Sequence, residues 1–149
     1  MRKPLPDVFV DGAKKGFAIA CNSIAPNVLM AFVIIQILNV TGMLKLMGTV
    51  FRPIMAIFGL PGEAVAVLVA ATMSMGGATG AAASLFGNNV LNGTHVTILL
   101  PAIYLLGSLI QYMGRCLGTA GVSSKHYPVM FAIAFFNAAV AMFIMRFLA

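Results

Sequence analysis

The sequence predicts an all-α polytopic membrane protein with three or four spanning helices, an interfacial helix and a re-entrant helical hairpin. Three observations carry this. Hydrophobic residues make up 61% of the chain, charged ones only 8%, and mean hydropathy is +1.03; several uncharged runs approach the ~20 residues that cross a bilayer. No Asp, Glu, Lys or Arg occurs between Ala64 and Gly114. Inside that stretch lies Met73-Ser74-Met75-Gly76-Gly77-Ala78-Thr79-Gly80-Ala81-Ala82-Ala83, a run of small residues with three glycines. In lipid an unpaired backbone group costs several kcal/mol, and a helical glycine costs up to ~1 kcal/mol relative to Ala, so glycines at that depth imply a helix break or a close approach. We therefore expect residues 64–86 to form a re-entrant hairpin whose tip is the glycine run. The competing arrangement is one continuous span, with Gly76 and Gly80 as a GxxxG packing face.

Composition bounds the function classes. The chain, 1–149, reads as a single membrane-embedded unit with no soluble domain. Its +6 net charge comes from nine basic residues scattered near expected interfaces, which suits anionic headgroups and orientation in the membrane rather than nucleic acid. Cys21 and Cys116 both border apolar segments and read as small core residues, not as a disulfide framework. Three or four helices leave most of their faces open, so a protein partner is implied as well as membrane lipids.

Along the chain, residues 5–15 form an amphipathic interfacial helix, with Leu5, Val8, Phe9 and Ala13 against Asp7, Asp11, Lys14 and Lys15. A lipoprotein signal ending at Cys21 is rejected, because Gly16 to Ala20 falls short of the ~7 apolar residues it needs. Residues 16–42 give the first span. Asn22, Asn27 and Pro26 near its start mark a kink, and the two amides either touch a solute or bond between helices. Residues 43–58 form a second interfacial helix, with Met43, Met47, Val50, Ile54 and Phe58 as its apolar stripe and a bend at Pro53. Gly59-Leu60-Pro61-Gly62-Glu63 is a turn, and Glu63 complements the dipole of the next helix. The hairpin arms are Ala64 to Met75 and Ala78 to Phe86. The first arm extends only about 18 Å, to the middle of a ~30 Å core. A polar turn, Gly87 to Gly93, leads to a span at 96–114 capped by Thr94. Arg115 sits among glycines in the broken segment Gly114 to Gly121, where it either serves a site or snorkels to headgroups. The last span is 128–146.

Arg2, Lys3, Lys14 and Lys15 place the N-terminus in the cytoplasm. With residues 64–86 re-entrant, Arg115 and Lys125 join them against Lys45, Arg52 and Arg146 outside. A continuous span divides the charges almost evenly. The positive-inside rule thus favours the hairpin, a preference that rests on Arg115 being counted.

Gly59-Leu60-Pro61-Gly62-Glu63-Ala64, Met73-Ser74-Met75-Gly76-Gly77-Ala78 and Gly114-Arg115-Cys116-Leu117-Gly118-Thr119-Ala120, followed by His126-Tyr127-Pro128, resemble the YjiG-type inner-membrane proteins related to spore maturation protein B. That family carries the nucleoside-recognition, or Gate, domain. The resemblance covers nearly the whole chain. It implies a multi-pass protein of the bacterial inner (cytoplasmic) membrane whose companion is a second Gate-domain protein, YjiH-like or spore maturation protein A-like. The element order is also similar to one inverted repeat of concentrative nucleoside transporters, a fold-level analogy that names no substrate.

No enzyme is legible. The hydroxyls lack histidine and acid partners in the membrane, the glycine run lacks the lysine of a phosphate-binding loop, and no metal-ligand spacing or cofactor motif occurs. The leading expectation is one half of a two-subunit transporter for a small polar solute. Its candidate ligand-binding residues are Ser74, Gly76, Gly77 and Thr79 at the tip, Gln111, Arg115 and Thr119 around the broken helix, and Asn22 and Asn27 on the first span. The alternatives are a structural or regulatory membrane subunit without transport of its own, and an ion-channel element, for which no span shows a continuous polar face.

Overall fold

The computed structural model describes residues 4–117 and 119–149, without the Arg115 side chain. Among the described residues every regular element is helical. Helices α1 (Leu5–Ile19) and α2 (Ala25–Val40) form one rod of 36 residues, about 54 Å long at ~1.5 Å per residue. They join through a widened π-turn, Ala20–Ile24, in which the Ala25 N–H donates to the Ala20 carbonyl five residues back. Pro26 explains the turn, because its ring crowds the carbonyl four residues earlier and it offers no donor. The boundary expected between 5–15 and 16–42 is therefore not a break in the helix. Cys21 lies in this turn and Cys116 in a second one, Met113–Leu117. Both thiols are free and exposed, which corrects their reading as core residues: in the second turn it is Met113, not Cys116, that is buried.

The rod ends where the Thr41 hydroxyl donates to the Ile37 carbonyl (2.8 Å) and Gly42, at φ 75°, reverses the chain. Helix α3 (Met43–Ala56) follows with Pro53 inside it. Its buried residues are Leu44, Gly48 and Met55, with Met47, Phe51 and Phe58 half-buried, while Met43, Val50 and Ile54 are exposed. The expected stripe is thus rotated by about one residue. Gly48 sets the phase: a Cβ on Gly62 would fall 1.9 Å from the Gly48 carbonyl oxygen, and one on Gly48 would meet the Glu63 carboxylate. At Gly62 the neighbour is backbone, so only glycine fits there, whereas a side chain at Gly48 would have to displace the flexible Glu63 side chain.

A 3-10 turn, Gly62–Ala64, opens α4 (Val65–Met73), and α5 (Met75–Gly87) follows after a single extended residue, Ser74. Packing against α2 gives their directions. On α5, Gly76 faces Asn27, Gly80 faces Val28 and Ala31, and Ser84 with Gly87 shares a cleft with Val33 and Gln36, so α5 runs parallel to α2. The start of α4 lies by α3, which follows the end of α2, whereas Met73 and Ser74 lie by Met30; α4 runs antiparallel to α2. The two arms form a hairpin that starts and finishes at the α3 end of the fold. The break expected at the glycine run falls instead at Ser74, and Gly76, Gly77 and Gly80 sit within α5.

Helix α6 (Gly93–Leu106) returns from the α3 end. Asn92, not Thr94, caps it: its side chain accepts from the His95 N–H (2.8 Å), while His95 Nδ1 accepts from the Asn92 N–H (3.3 Å). The expected span 96–114 breaks at Gly107–Ser108 before α7 (Leu109–Tyr112) and the second π-turn. Helix α8 (Tyr127–Leu148) then crosses back, packing Ala138 and Met142 inward, until the Arg146 guanidinium donates to the Ile57 carbonyl beyond α3. Among the described residues three helices are long and apolar enough to cross a membrane: Leu5–Val40, Gly93–Tyr112 and Ser124–Leu148. Lys45, Arg52 and Arg146 gather at the α3 end, and Lys14, Lys15 and Lys125 at the other. The hairpin is the core, with Val67, Ala71, Ala78 and Leu85 on its arms fully buried against Leu99 and Leu106.

The glycine contact yields a direct test. Gly62→Ala should destabilise the detergent-solubilised protein by about 1–3 kcal/mol, the usual cost of overpacking. Gly16→Ala, on an open helix face where nothing lies within 4 Å, should leave the melting midpoint unchanged or raise it slightly.

Candidate functional site

Breaking a helix in apolar surroundings leaves carbonyls at its end and amides at the next start without partners. At Ser74 these groups are answered by a second break. Ser108 adopts the left-handed conformation (φ 60°, ψ 30°) at the end of α6, which costs a non-glycine residue energy and persists only where packing demands it. This turn directs its N–H to the Ala71 carbonyl (2.8 Å), and its hydroxyl oxygen accepts from the Met75 N–H (3.3 Å). One turn on, Gln111 Nε2 donates to the Met73 carbonyl (3.1 Å). Ser74 completes the arrangement by capping α5, its hydroxyl oxygen accepting from the Gly77 N–H (3.2 Å).

The structure therefore brings together Ser74, Gly76, Gly77, Gln111 and Asn27, whereas Thr79 lines a separate cleft between α5 and α6 with Gly93, Val96 and Ile103. Asn27 lies beside Gly76, where a Cβ would stand 3.6 Å from the Asn27 Cβ. Thr79 is exposed, with its hydroxyl donating to the Met75 carbonyl (3.0 Å). A cavity of about 210 Å³ opens between α2 and the hairpin, lined at its tip end by Met30, Met73, Ser74 and Gly77. Its lining is apolar apart from Ser74 and does not include Asn27, Thr79 or Gln111, and it falls below the ~300–1,000 Å³ of a typical small-molecule pocket. Gly77 is buried yet has room beside Ser74, where a Cβ would stand 3.5 Å from the nearest atom.

The remaining candidates lie farther out. Asn22 occupies the first π-turn, exposed, about 7 Å along the rod from Asn27. Thr119 is exposed beyond the second π-turn, its hydroxyl donating to the Cys116 carbonyl (3.0 Å). The Arg115 side chain, the charge singled out from sequence, lies outside the described residues, as does Gly118; the Arg115 backbone is one turn past Gln111. No charged side chain stands at the tip among the described residues, and none of their His, Cys, Asp and Glu side chains form a group able to hold a metal ion. Ser108 was missed in the sequence. Its signal was there, a Gly-Ser pair inside an apolar helical run, but the length of that run favoured an unbroken helix.

Comparison with known proteins fits this architecture. Residues 21–145 match the Gate family, described as nucleoside recognition. Inner membrane protein YjiG of Escherichia coli strain K12 is 52% identical over 146 residues, which cover 98% of this chain and 95% of that relative. The YjiG proteins of E. coli O6:H1 and O157:H7 match to the same extent. No solved structure matches the chain. With its apolar helices and this coverage, the chain is an inner membrane protein that belongs to the Gate, or nucleoside-recognition, family.

Proposed function

We propose that the chain is one half of a two-subunit transporter for a small polar solute, which binds where the hairpin tip meets the broken α6–α7 helix. The observation that carries this reading is the meeting of two helix breaks, Ser74 and Gly107–Ser108, at mid-depth of the fold. Discontinuous helices are costly in lipid and are the usual way transporters expose backbone groups and helix ends to a solute. Asn27 and Gln111 supply side-chain hydrogen bonds. Arg115 and Thr119, one turn or more beyond, extend the site toward the far end. The hairpin is re-entrant in this reading, entering and leaving at the α3 face, and the N-terminus with Lys14, Lys15 and Lys125 is cytoplasmic.

The second subunit is a further Gate-domain membrane protein of opposite topology. Large apolar residues such as Leu29, Val33, Tyr104 and Phe136 are exposed, and the small cavity leaves one side of the site to be supplied from outside. The family's description makes nucleosides and nucleobases the first solutes to try.

Topology can be checked alone. Cysteines introduced as Thr49→Cys and Asn89→Cys, in a chain lacking Cys21 and Cys116, should be labelled from the same side of the membrane; labelling from opposite sides removes the hairpin.

Binding tests the site. Protein purified gently from its native host should carry its companion on native mass spectrometry, and the pair should bind a member of the nucleoside panel. Asn27→Leu should weaken that binding about tenfold, the ~1.4 kcal/mol of one hydrogen bond. Gly77→Val should obstruct it with little change in melting midpoint, because the side chain enters the cavity. Arg115→Lys, which loses the planar fork, should weaken an anionic solute more than a neutral one. A pair that binds and moves no solute would leave the chain a structural or regulatory subunit.

A further inference from the structure

Toward the α3 side of the hairpin, α2 and α5 part around a further cavity of about 380 Å³, lined by Phe32, Val33, Gln36, Ser84, Gly87 and Asn88. It lies apart from the tip, because Ser84 follows Gly76 on α5 by about 12 Å along the helix axis. Ser84 is only 5% exposed. A hydroxyl within a helix commonly bonds back to the carbonyl four residues earlier, as those of Thr49, Thr79 and Thr97 do. The Ser84 hydroxyl makes no hydrogen bond among the described residues. No fully covered polar side-chain atom there lacks a partner, so this hydroxyl reaches the cavity surface. The Gln36 and Asn88 carboxamides, one on α2 and one just past α5, are exposed and likewise without a partner among the described residues.

We propose that this cavity binds a small neutral heteroaromatic solute of the nucleobase class, at a site separate from the tip. Charge, hydrogen-bonding capacity and shape each narrow the ligand. No charged side chain lines the cavity, so an ion of either sign would give up its hydration without a counter-charge. One hydroxyl and two carboxamides offer donors and acceptors together, which suits a molecule whose edge alternates the two. Phe32 and Val33 supply an apolar wall, and an aromatic ring pairs favourably with a flat one. The volume falls within the ~300–1,000 Å³ usual for small-molecule sites. All of these groups come from one chain, so the site depends neither on the tip nor on a companion subunit.

Equilibrium binding of uracil and adenine to the full chain, purified in detergent without a companion, tests this. At least one base should bind. Gly87→Phe puts a ring where nothing lies within 4 Å of an added Cβ, so it should cut affinity at least about tenfold at an unchanged melting midpoint. Ser84→Ala and Gln36→Leu should each weaken binding about fivefold, whereas Gly77→Val, at the tip, should have no effect. The proposal is overturned if neither base binds, or if Gly87→Phe and Ser84→Ala both leave affinity intact. Binding lost only in Gly77→Val would place the base at the tip and remove this site. A purified pair that moves no solute, while Gly87→Phe still blocks binding to the single chain, would remove the transporter reading and uphold this site. A companion subunit released by Gly87→Phe, with no base bound by the unaltered chain, would assign the cavity to a protein contact instead.

Discussion

Everything near the centre of this molecule depends on satisfying the backbone where α4 stops. Ser74 leaves the helix in apolar surroundings, with no charged side chain at the tip among the described residues, and each orphaned carbonyl or amide there would cost several kcal/mol in lipid. The bonds from the Ser108 N–H and Gln111 to the Ala71 and Met73 carbonyls, and from the Met75 N–H to the Ser108 hydroxyl, remove that cost. Each break thus justifies the other. Residues some thirty positions apart in sequence become one unit, and the left-handed Ser108 is held in place by the partners it satisfies.

The surrounding packing follows from the same constraint. Two short arms can lie side by side only if their contacts are close, so α5 is built largely from Ala and Gly, and Gly80 brings its backbone against Val28 and Ala31. At the base of the hairpin the Gly48–Gly62 contact performs the same function, tying α3 to the start of α4. In lipid, where no hydrophobic drive pulls helices together, such close approaches and the dispersion they allow are the main source of cohesion. Arg146 adds a polar tie by bonding the Ile57 carbonyl beyond α3.

The functional reading rests on that central unit rather than on any acidic or basic cluster. The proposed site, made of backbone ends, a serine and two amides, would distinguish solutes by hydrogen-bond pattern and shape. The small cavity and the wide apolar exterior both call for more protein around it.

The sequence by itself determined that this is an all-helical membrane protein, because composition and uncharged run lengths leave no other way to satisfy its backbone. It also marked the glycine run and the amides in apolar stretches as unusual, since such residues are rare enough there to stand out. Tertiary structure decided the rest. Whether residues 64–86 fold back is a question of which helix each arm packs against, and local pattern cannot express it. The buried face of α3 was set by Gly48 meeting Gly62, a contact between distant backbones that the apolar stripe at Met43, Val50 and Ile54 does not foreshadow. The break at Ser108 is stable only because Ala71 and Met75 are there to bond it, so the apolar run from Val96 to Gly114, read alone, looked like one helix.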